Sequence, residues 1–452
     1  MKKNIDLLEG RIFTSLTGLA VPIMATSLVQ MAYNLTDMAW IGQVGSKAVA
    51  AVGAAGMYTW LSQGVVAMPK MGGQIKIAHS LGEGSPKDAA EYAKGAIRMG
   101  TVFSLVFAVI MVLGAGPLIS FFGLRDQDTL LNARIYLRIT CGLIFFPFMN
   151  SILTGILTAT GDSRTPFKAN AVGLVINMAL DPILIFGIGP FPVMGVTGAA
   201  VATVTAQIVV FLVFLLAVRQ DTILFDKIKV WKRTSKGYLR TIYRLGLPAA
   251  LQNLLYTSIS MVLTRFVASF GDAAVAVQRV GGQIESISWM TAEGFGAAIN
   301  SFVGQNYGAG KYHRVRKGYL TAVGVTVVWG LFCSWLLVFL PGPIFRIFIK
   351  EPEIIPAGID YLRIIGFSEM LMCVELTTVG ALSGLGKTFL SSIISITLTS
   401  ARIPLAMILS ATALGLNGIW WALTLSSWTK GVVFFLCCMW IMEKLVKEEK
   451  SS

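Results

Sequence analysis

A duplication limits what this chain can fold into. Pro22, Gly45, Ala48, Ala50, Gly82 and Gly84 each return 226 positions later, as Pro248, Gly271, Ala274, Ala276, Gly308 and Gly310. Gly155, Leu157 and Gly161 return 225 later as Gly380, Leu382 and Gly386, and Gly195 and Gly198 return 220 later as Gly415 and Gly418. A drifting offset of this kind marks an internal repeat with loop deletions. The two halves therefore share a scaffold, but not a chemistry: Asp37 maps onto Leu263, Asn177 onto Arg402 and Asp181 onto Ala406.

That scaffold belongs in a bilayer. With 55% hydrophobic and 13% charged residues, a chain of 452 residues cannot be a soluble globule with a polar shell. A helical span needs about 20 apolar residues, and twelve such stretches fit between residues 12 and 443. The net charge of +14 is concentrated in alternate loops: Lys2, Lys3 and Arg11; Arg164 and Lys168; the central linker from Arg219 to Arg244; Lys311, Arg314, Arg316 and Lys317; and Lys444, Lys447 and Lys450. Twelve spans place all of these on one side, the positive-inside pattern with both termini cytoplasmic. The charge thus reports topology, and no nucleic-acid partner is expected.

Each half crosses six times, so the second enters the bilayer in the same orientation as the first, and the repeats are parallel. The expectation is an all-α membrane protein of twelve transmembrane helices in two pseudo-symmetric six-helix bundles flanking a cleft. Its parts are an N-terminal segment (1–11), an N-lobe (12–219), a cytoplasmic linker (220–245), a C-lobe (246–443) and a basic tail (444–452). Asp6 and Glu9 interrupt any signal-peptide core, and residues 4–11 read as a short interfacial helix. Cys141, Cys333, Cys373, Cys437 and Cys438 lie in apolar stretches without CxxC spacing, which supports neither a disulfide framework nor zinc. His79 and His313 read as solvated.

Polar residues inside the first bundle are patterned. Thr26, Gln30, Asn34 and Asp37, spaced four, four and three apart, share one stripe of span one, and Asn170, Asn177 and Asp181 lie in span five. A mid-span Asp costs about 2.5 to 3.5 kcal/mol on insertion scales, so it faces protein or water. Counting about 1.5 Å per residue, Asp37, Asp181 and Thr203 of span six come to similar depth. Pro22 and Pro182 each remove a helical hydrogen bond nearby. Two neighbouring carboxylates in a low dielectric cannot both ionise cheaply and would share one proton. With an amide and a hydroxyl they also offer hard oxygen ligands to a small cation such as Na⁺.

The second bundle carries Glu285 and Glu293 on span eight, Glu369 and Glu375 on span ten, and Arg402 on span eleven. A buried Arg demands a partner, so an ion pair of Arg402 with Glu285 or Glu369 is expected. These groups are either structural or in contact with substrate. Gln252, Tyr256 and Ser260, four apart on span seven, are expected to line the cleft.

Together these residues resemble the multidrug and toxic compound extrusion (MATE) transporters over residues 12 to 443. The resemblance rests on Asn34-Leu-Thr-Asp37, Gly155-Ile-Leu-Thr-Ala-Thr-Gly161-Asp162, Asn177-Met-Ala-Leu-Asp181-Pro182, Gly195-Val-Thr-Gly198-Ala-Ala-Val-Ala-Thr203 and Gly304-Gln-Asn-Tyr-Gly308-Ala-Gly310. It implies antiport: export of organic, often cationic compounds driven by H⁺ or Na⁺, with no other cofactor. It also implies that Asp37, Asn177, Asp181 and Thr203 hold the cation, with Gln30, Asn34, Asn150 and Thr154 lining the N-lobe cavity. Sodium-coupled relatives carry a Glu on span seven and an Asp on span ten, where Tyr256 and Met372 stand here, so the chain looks closer to the DinF-like branch. A monomer embedded in lipid is expected. A lipid-linked saccharide flippase of the same superfamily is the alternative, although it would favour a cationic cavity. No nucleophile, metal cluster or His pair supports an enzyme.

Overall fold

The computed structural model describes residues 5–122, 126–219, 225–227, 234–348 and 352–451. All regular structure among them is helical. Of the linker expected at 220–245, residues 220–224 and 228–233, with Trp231, lie outside the described residues. The first repeat comprises α1 (Ile12–Val44), α2 (Ser46–Gly82), α3 (Pro86–Leu113), α4 (Ala115–Ser120), α5 (Gln127–Gly142), α6 (Phe145–Ala159), α7 (Arg164–Phe186) and α8 (Gly195–Val218). The second comprises α9 (Lys236–Ala268), α10 (Asp272–Gly308), α11 (Tyr312–Phe339), α12 (Pro341–Phe348), α13 (Ile355–Gly366), α14 (Glu369–Gly384), α15 (Thr388–Ser400), α16 (Arg402–Ser410) and α17 (Leu416–Ser451).

The backbone reproduces the sequence offsets. Helices α2 and α10 are both 37 residues long, and α3 and α11 both 28. The ten described residues with positive φ are all glycines, and eight of them pair across the repeats: Gly45 with Gly271, Gly84 with Gly310, Gly161 with Gly386, and Gly195 with Gly415. Only glycine enters this region without a steric penalty. The unpaired two, Gly187 and Gly189, lie between α7 and α8, where the offset drops from 225 to 220.

Among the described residues, seven helical stretches are long and apolar enough to cross a membrane, α15 and α16 counting together, or nine if the bent pairs α5–α6 and α13–α14 each count as one span. Helices α2, α9 and α10 have the length, at 37, 33 and 37 residues, but carry too many polar groups to qualify on apolarity. On α3, Val102, Leu105, Val106, Val109, Ile110 and Leu113 are all more than half exposed and follow the 3.6-residue period. Such a continuous apolar outer stripe suits lipid and not water.

Two compact units emerge. Residues 25–250 belong to unit 1, and residues 5–24 with 251–452 to unit 2. The opening turns of α1 thus count with the second repeat and those of α9 with the first. Pro22 and Pro248, repeat partners, sit just before each helix passes from one unit to the other. In unit 1 the Tyr238 hydroxyl at the start of α9 donates to Asp88 at 2.7 Å. In unit 2 the strap before α1 is held by α10 and α11: Asn306 Nδ2 donates to the Leu7 carbonyl at 2.9 Å, and Arg314 donates to the carbonyls of Leu7 and Gly10.

Residues 5–10 form bends and not the expected interfacial helix. The Asp6 carboxylate accepts from the N–H groups of Leu8 and Glu9 at 2.9 and 3.0 Å, and this local bonding competes with helix. Leu7 is then buried in the core of unit 2. His79 is also buried, not solvated. In the loop preceding α5, the Lys47 ammonium at 2.7 Å and the hydroxyl and N–H of Thr129 hold the Asp126 carboxyl down at about 2. Its stabilising contribution is present at neutral pH and lost as pH falls toward that value.

Helices α10 and α14 pack backbone to backbone, because a Cβ on Gly380 would collide with the Gly296 carbonyl. Gly380→Val is therefore expected to destabilise unit 2 by about 1 to 3 kcal/mol or more. A lower thermal midpoint in detergent, with no change for a Gly324→Ala control whose Cβ meets nothing, would register it.

Candidate functional site

In unit 1, helices α1, α7 and α8 bring five oxygens into one buried place. Asn177 and Asp181 are fully buried, one turn apart on α7, and Asn177 Nδ2 donates to Asp181 Oδ1 at 3.2 Å. Asp37 lies close enough to Asp181 for the two charges to interact. Helix α7 continues through Pro182 to Phe186, so the proline does not end it. The missing N–H leaves the carbonyl four residues back, on Met178, without its helical donor. One turn beyond the carboxylates, Trp40 and Phe186 meet edge to face at 6.2 Å and join α1 to α7.

The remaining atoms of this cluster lack partners. Asp37 Oδ1, Asn177 Oδ1, Asp181 Oδ2, Thr203 Oγ1 and the Tyr33 hydroxyl are all buried without a hydrogen bond. Native proteins leave few buried polar atoms unsatisfied, so five together call for an explanation. Two carboxylates, an amide oxygen and two hydroxyls are hard ligands suited to a proton or a small cation. Tyr33 and Tyr136 are not among the residues that sequence spacing singles out. Tyr33 interacts with Thr203, Gln207, Asp37 and Asp181, and Tyr136 with Thr203 and both carboxylates. A signal for Tyr136 exists: Tyr136-Leu-Arg-Ile139 returns 225 positions later as Tyr361-Leu-Arg-Ile364.

Beside Tyr33 is a cavity of about 10 Å³, whose lining includes Gln30, Asn170 and Gln207. That is about the space of one water. Gln30 donates to Asn34 at 3.4 Å, and both are exposed. Asn150 is buried and donates to the backbone and side-chain oxygens of Gln207, each at 2.9 Å. Thr154 donates to the Asn150 carbonyl at 2.7 Å.

The equivalent place in unit 2 is hydrocarbon. Counterparts of Tyr33, Asp37, Asp181 and Thr203 at the repeat offsets are Ile259, Leu263, Ala406 and Leu423, and all four pack in one apolar cluster. Arg402, at the Asn177 position, does not form the ion pair expected with Glu285 or Glu369. It donates instead to the hydroxyls of Ser426 and Ser427 on α17, at 3.1 and 3.0 Å. Two hydroxyls satisfy the guanidinium donors at less desolvation cost than a second buried charge.

The buried ion pair of unit 2 is one the sequence does not announce: Lys430 Nζ to Glu375 Oε1 at 2.8 Å, both nearly inaccessible. Glu285 accepts from the Tyr361 hydroxyl at 3.3 Å, and Glu369 is fully buried with neither oxygen bonded. Gln252 clamps α9 to α15, donating to Ser395 at 3.1 Å and accepting from Ser392 at 3.2 Å. Tyr256 is exposed and Ser260 partly so.

The MatE family model matches residues 22–183 and again 248–408, once per repeat. A probable multidrug resistance protein NorM of Thermotoga maritima is 29% identical over 451 residues, covering 96% of this chain and 94% of its own. An FAD transporter of Shewanella oneidensis is 23% identical, with 100% and 99% covered. Among solved structures, a MATE in the straight conformation superposes with a TM-score of 0.91 at 25% identity, covering 99% of this chain and all of the other. A MATE in the bent conformation gives 0.91 at 25% identity over the whole of both chains. With duplicated all-helical scaffold, apolar outer faces and family match in agreement, the chain belongs to the MatE family of membrane transporters.

Proposed function

We propose that this protein is a multi-pass antiporter of the inner cell membrane, with both termini cytoplasmic, that exports organic compounds in exchange for H⁺ or Na⁺. The observation that carries this reading is the partnerless oxygen cluster of Tyr33, Asp37, Asn177, Asp181 and Thr203, set against hydrocarbon at four of the five equivalent positions of the second repeat. A bound cation removes one of the pair's two negative charges, which relieves their mutual repulsion and lets α1 and α7 close on each other. Its release restores negative charge, which draws a cationic substrate. Pro22 gives α1 a place to bend as it does so. Relatives named for multidrug resistance support a broad substrate range. Gln30, Asn34 and Thr154 of the first repeat, and Tyr256 and Ser260 of the second, are the polar positions offered to substrate, whereas Asn150 and Gln252 hold neighbouring helices in place.

The test is transport of ethidium by purified protein in sealed vesicles, under a sodium gradient alone and a proton gradient alone. One of the two is expected to drive accumulation against the ethidium gradient. Accumulation under neither, at protein levels confirmed in the vesicles, would overturn the antiport reading.

A further inference from the structure

Unit 2 carries a cavity that the transport reading does not use. Its volume is about 390 Å³, and Arg346, Pro352, Ile355, Pro356, Ile359 and Asp360 line it. Arg346 lies in the last turn of α12, and Asp360 lies on α13 one turn after Pro356. Both side chains are exposed. Among the described residues Arg346 makes no ion pair, and Asp360 accepts one long hydrogen bond, from Asn417 Nδ2 at 3.4 Å. Opposite charges thus share one otherwise apolar cavity without pairing with each other.

Its place in the fold decides what can reach it. Helix α11 starts at the basic cluster of Lys311, Arg314, Arg316 and Lys317 and runs 28 residues, about 42 Å. It is long and apolar enough to cross a membrane, so α12 stands at the opposite face from that cluster. Trp335 and Phe339, in the last turns of α11, are both more than half exposed, with their rings 6.4 Å apart. Exposed aromatic side chains at the end of a span mark the headgroup level. On α12, Pro341 and Phe345 are buried, whereas Ile347 and Phe348 are more than half exposed, as in a helix lying along a membrane interface. The cavity therefore sits at headgroup depth, with apolar side chains next to Arg346 for acyl chains to cover.

The first repeat has the anchor but not the charges. Gly116-Pro117 of α4 returns 226 positions later as Gly342-Pro343 of α12, and Phe121, also exposed, matches Ile347. Ser120 stands at the Arg346 position and accepts from Arg134 Nη2 at 3.2 Å, while Ile135 stands at the Asp360 position, 225 residues earlier.

We propose that this cavity binds the headgroup of a phospholipid that carries a primary ammonium, of the phosphatidylethanolamine kind. The Arg346 guanidinium donates to the phosphate oxygens, and the Asp360 carboxylate accepts from the ammonium. A choline headgroup has no N–H to donate and is normally held by aromatic faces, yet no aromatic residue is among those lining the cavity. A purely anionic headgroup satisfies Arg346 but sets its charge against Asp360. The ethanolamine headgroup satisfies both and ties α12 to α13, while Ile347 and Phe348 meet its acyl chains.

Native mass spectrometry of the purified full-length protein in detergent tests this without transport. The protein is titrated with phosphatidylethanolamine, phosphatidylcholine and phosphatidylglycerol of identical acyl chains. The first ethanolamine lipid is expected to bind about fivefold more tightly than either of the others, the worth of one partly exposed charge pair. Arg346→Gln should weaken all three lipids, whereas Asp360→Asn should erase the preference for ethanolamine over glycerol. Both residues are exposed, so both variants should keep the wild-type thermal midpoint. Equal binding of the three lipids by wild type, or a preference that survives Asp360→Asn, would overturn the proposal. Soluble glycerophosphoethanolamine at the same concentration should leave the lipid bound; displacement would make the occupant a soluble zwitterion and refute the lipid assignment.

Discussion

Asp37→Asn is expected to end gradient-driven accumulation while the protein folds and inserts as before. Asn preserves the side-chain volume but fixes the neutral state, so the charge that binds and releases the cation no longer exists. A tenfold gradient of the coupling ion supplies about 1.4 kcal/mol per ion exchanged, which sustains about a tenfold concentration ratio of a singly charged substrate in one-for-one exchange. The variant should forfeit that ratio entirely. Its stability is not expected to fall, because Asp37 Oδ1 makes no hydrogen bond that Asn would lose, and an unpaired buried charge costs free energy. Leu263→Ala at the paired position is the control: it trims the apolar cluster of unit 2 and costs packing energy, yet the accumulation ratio per folded molecule should hold. The measurement is the steady-state ethidium ratio in vesicles, normalised to monodisperse protein. A full ratio in Asp37→Asn would break the link between the oxygen cluster and energy coupling.

How much of this was legible in the sequence follows from the physics of each feature. The duplication was legible because glycines at positive φ are irreplaceable, and four pairs of them mark the same turns in both repeats. Asp37, Asn177, Asp181 and Thr203 could be named because polar groups at one depth of apolar helices stand out against their neighbours. Tyr33 could not, since an aromatic residue in such a helix reads as packing until its hydroxyl is seen to be buried and unbonded. Partner choice was likewise hidden. Arg402 lies between carboxylates and serines on several helices, and helical periodicity carries nothing about which of them a neighbouring helix presents. Lys430 stands within the last apolar span, where the sequence names no partner for it, and α17 turns it inward to Glu375. The strap at 5–10 failed as a helix because Asp6 satisfies the backbone locally.

The largest stability effects are expected at that hidden pair. Glu375 and Lys430 are 5% and 4% exposed and 2.8 Å apart, so removing either partner strands a charge away from water. Breaking a buried pair typically costs about 3 to 5 kcal/mol. The two single variants should not be equal, however, because Arg402 also acts on Lys430. Lys430→Met leaves Glu375 close to a remaining cation, whereas Glu375→Gln leaves two cations facing each other with one fewer anion between them. Glu375→Gln is therefore expected to lie at the upper end of that range and Lys430→Met at the lower. The double variant should recover most of the loss, since a neutral pair of similar volume avoids desolvation altogether. Thermal unfolding in detergent of the four proteins gives the coupling directly. Additive single effects, or a Lys430→Met loss greater than that of Glu375→Gln, would mean that the pair is screened by water and that Arg402 does not share its field.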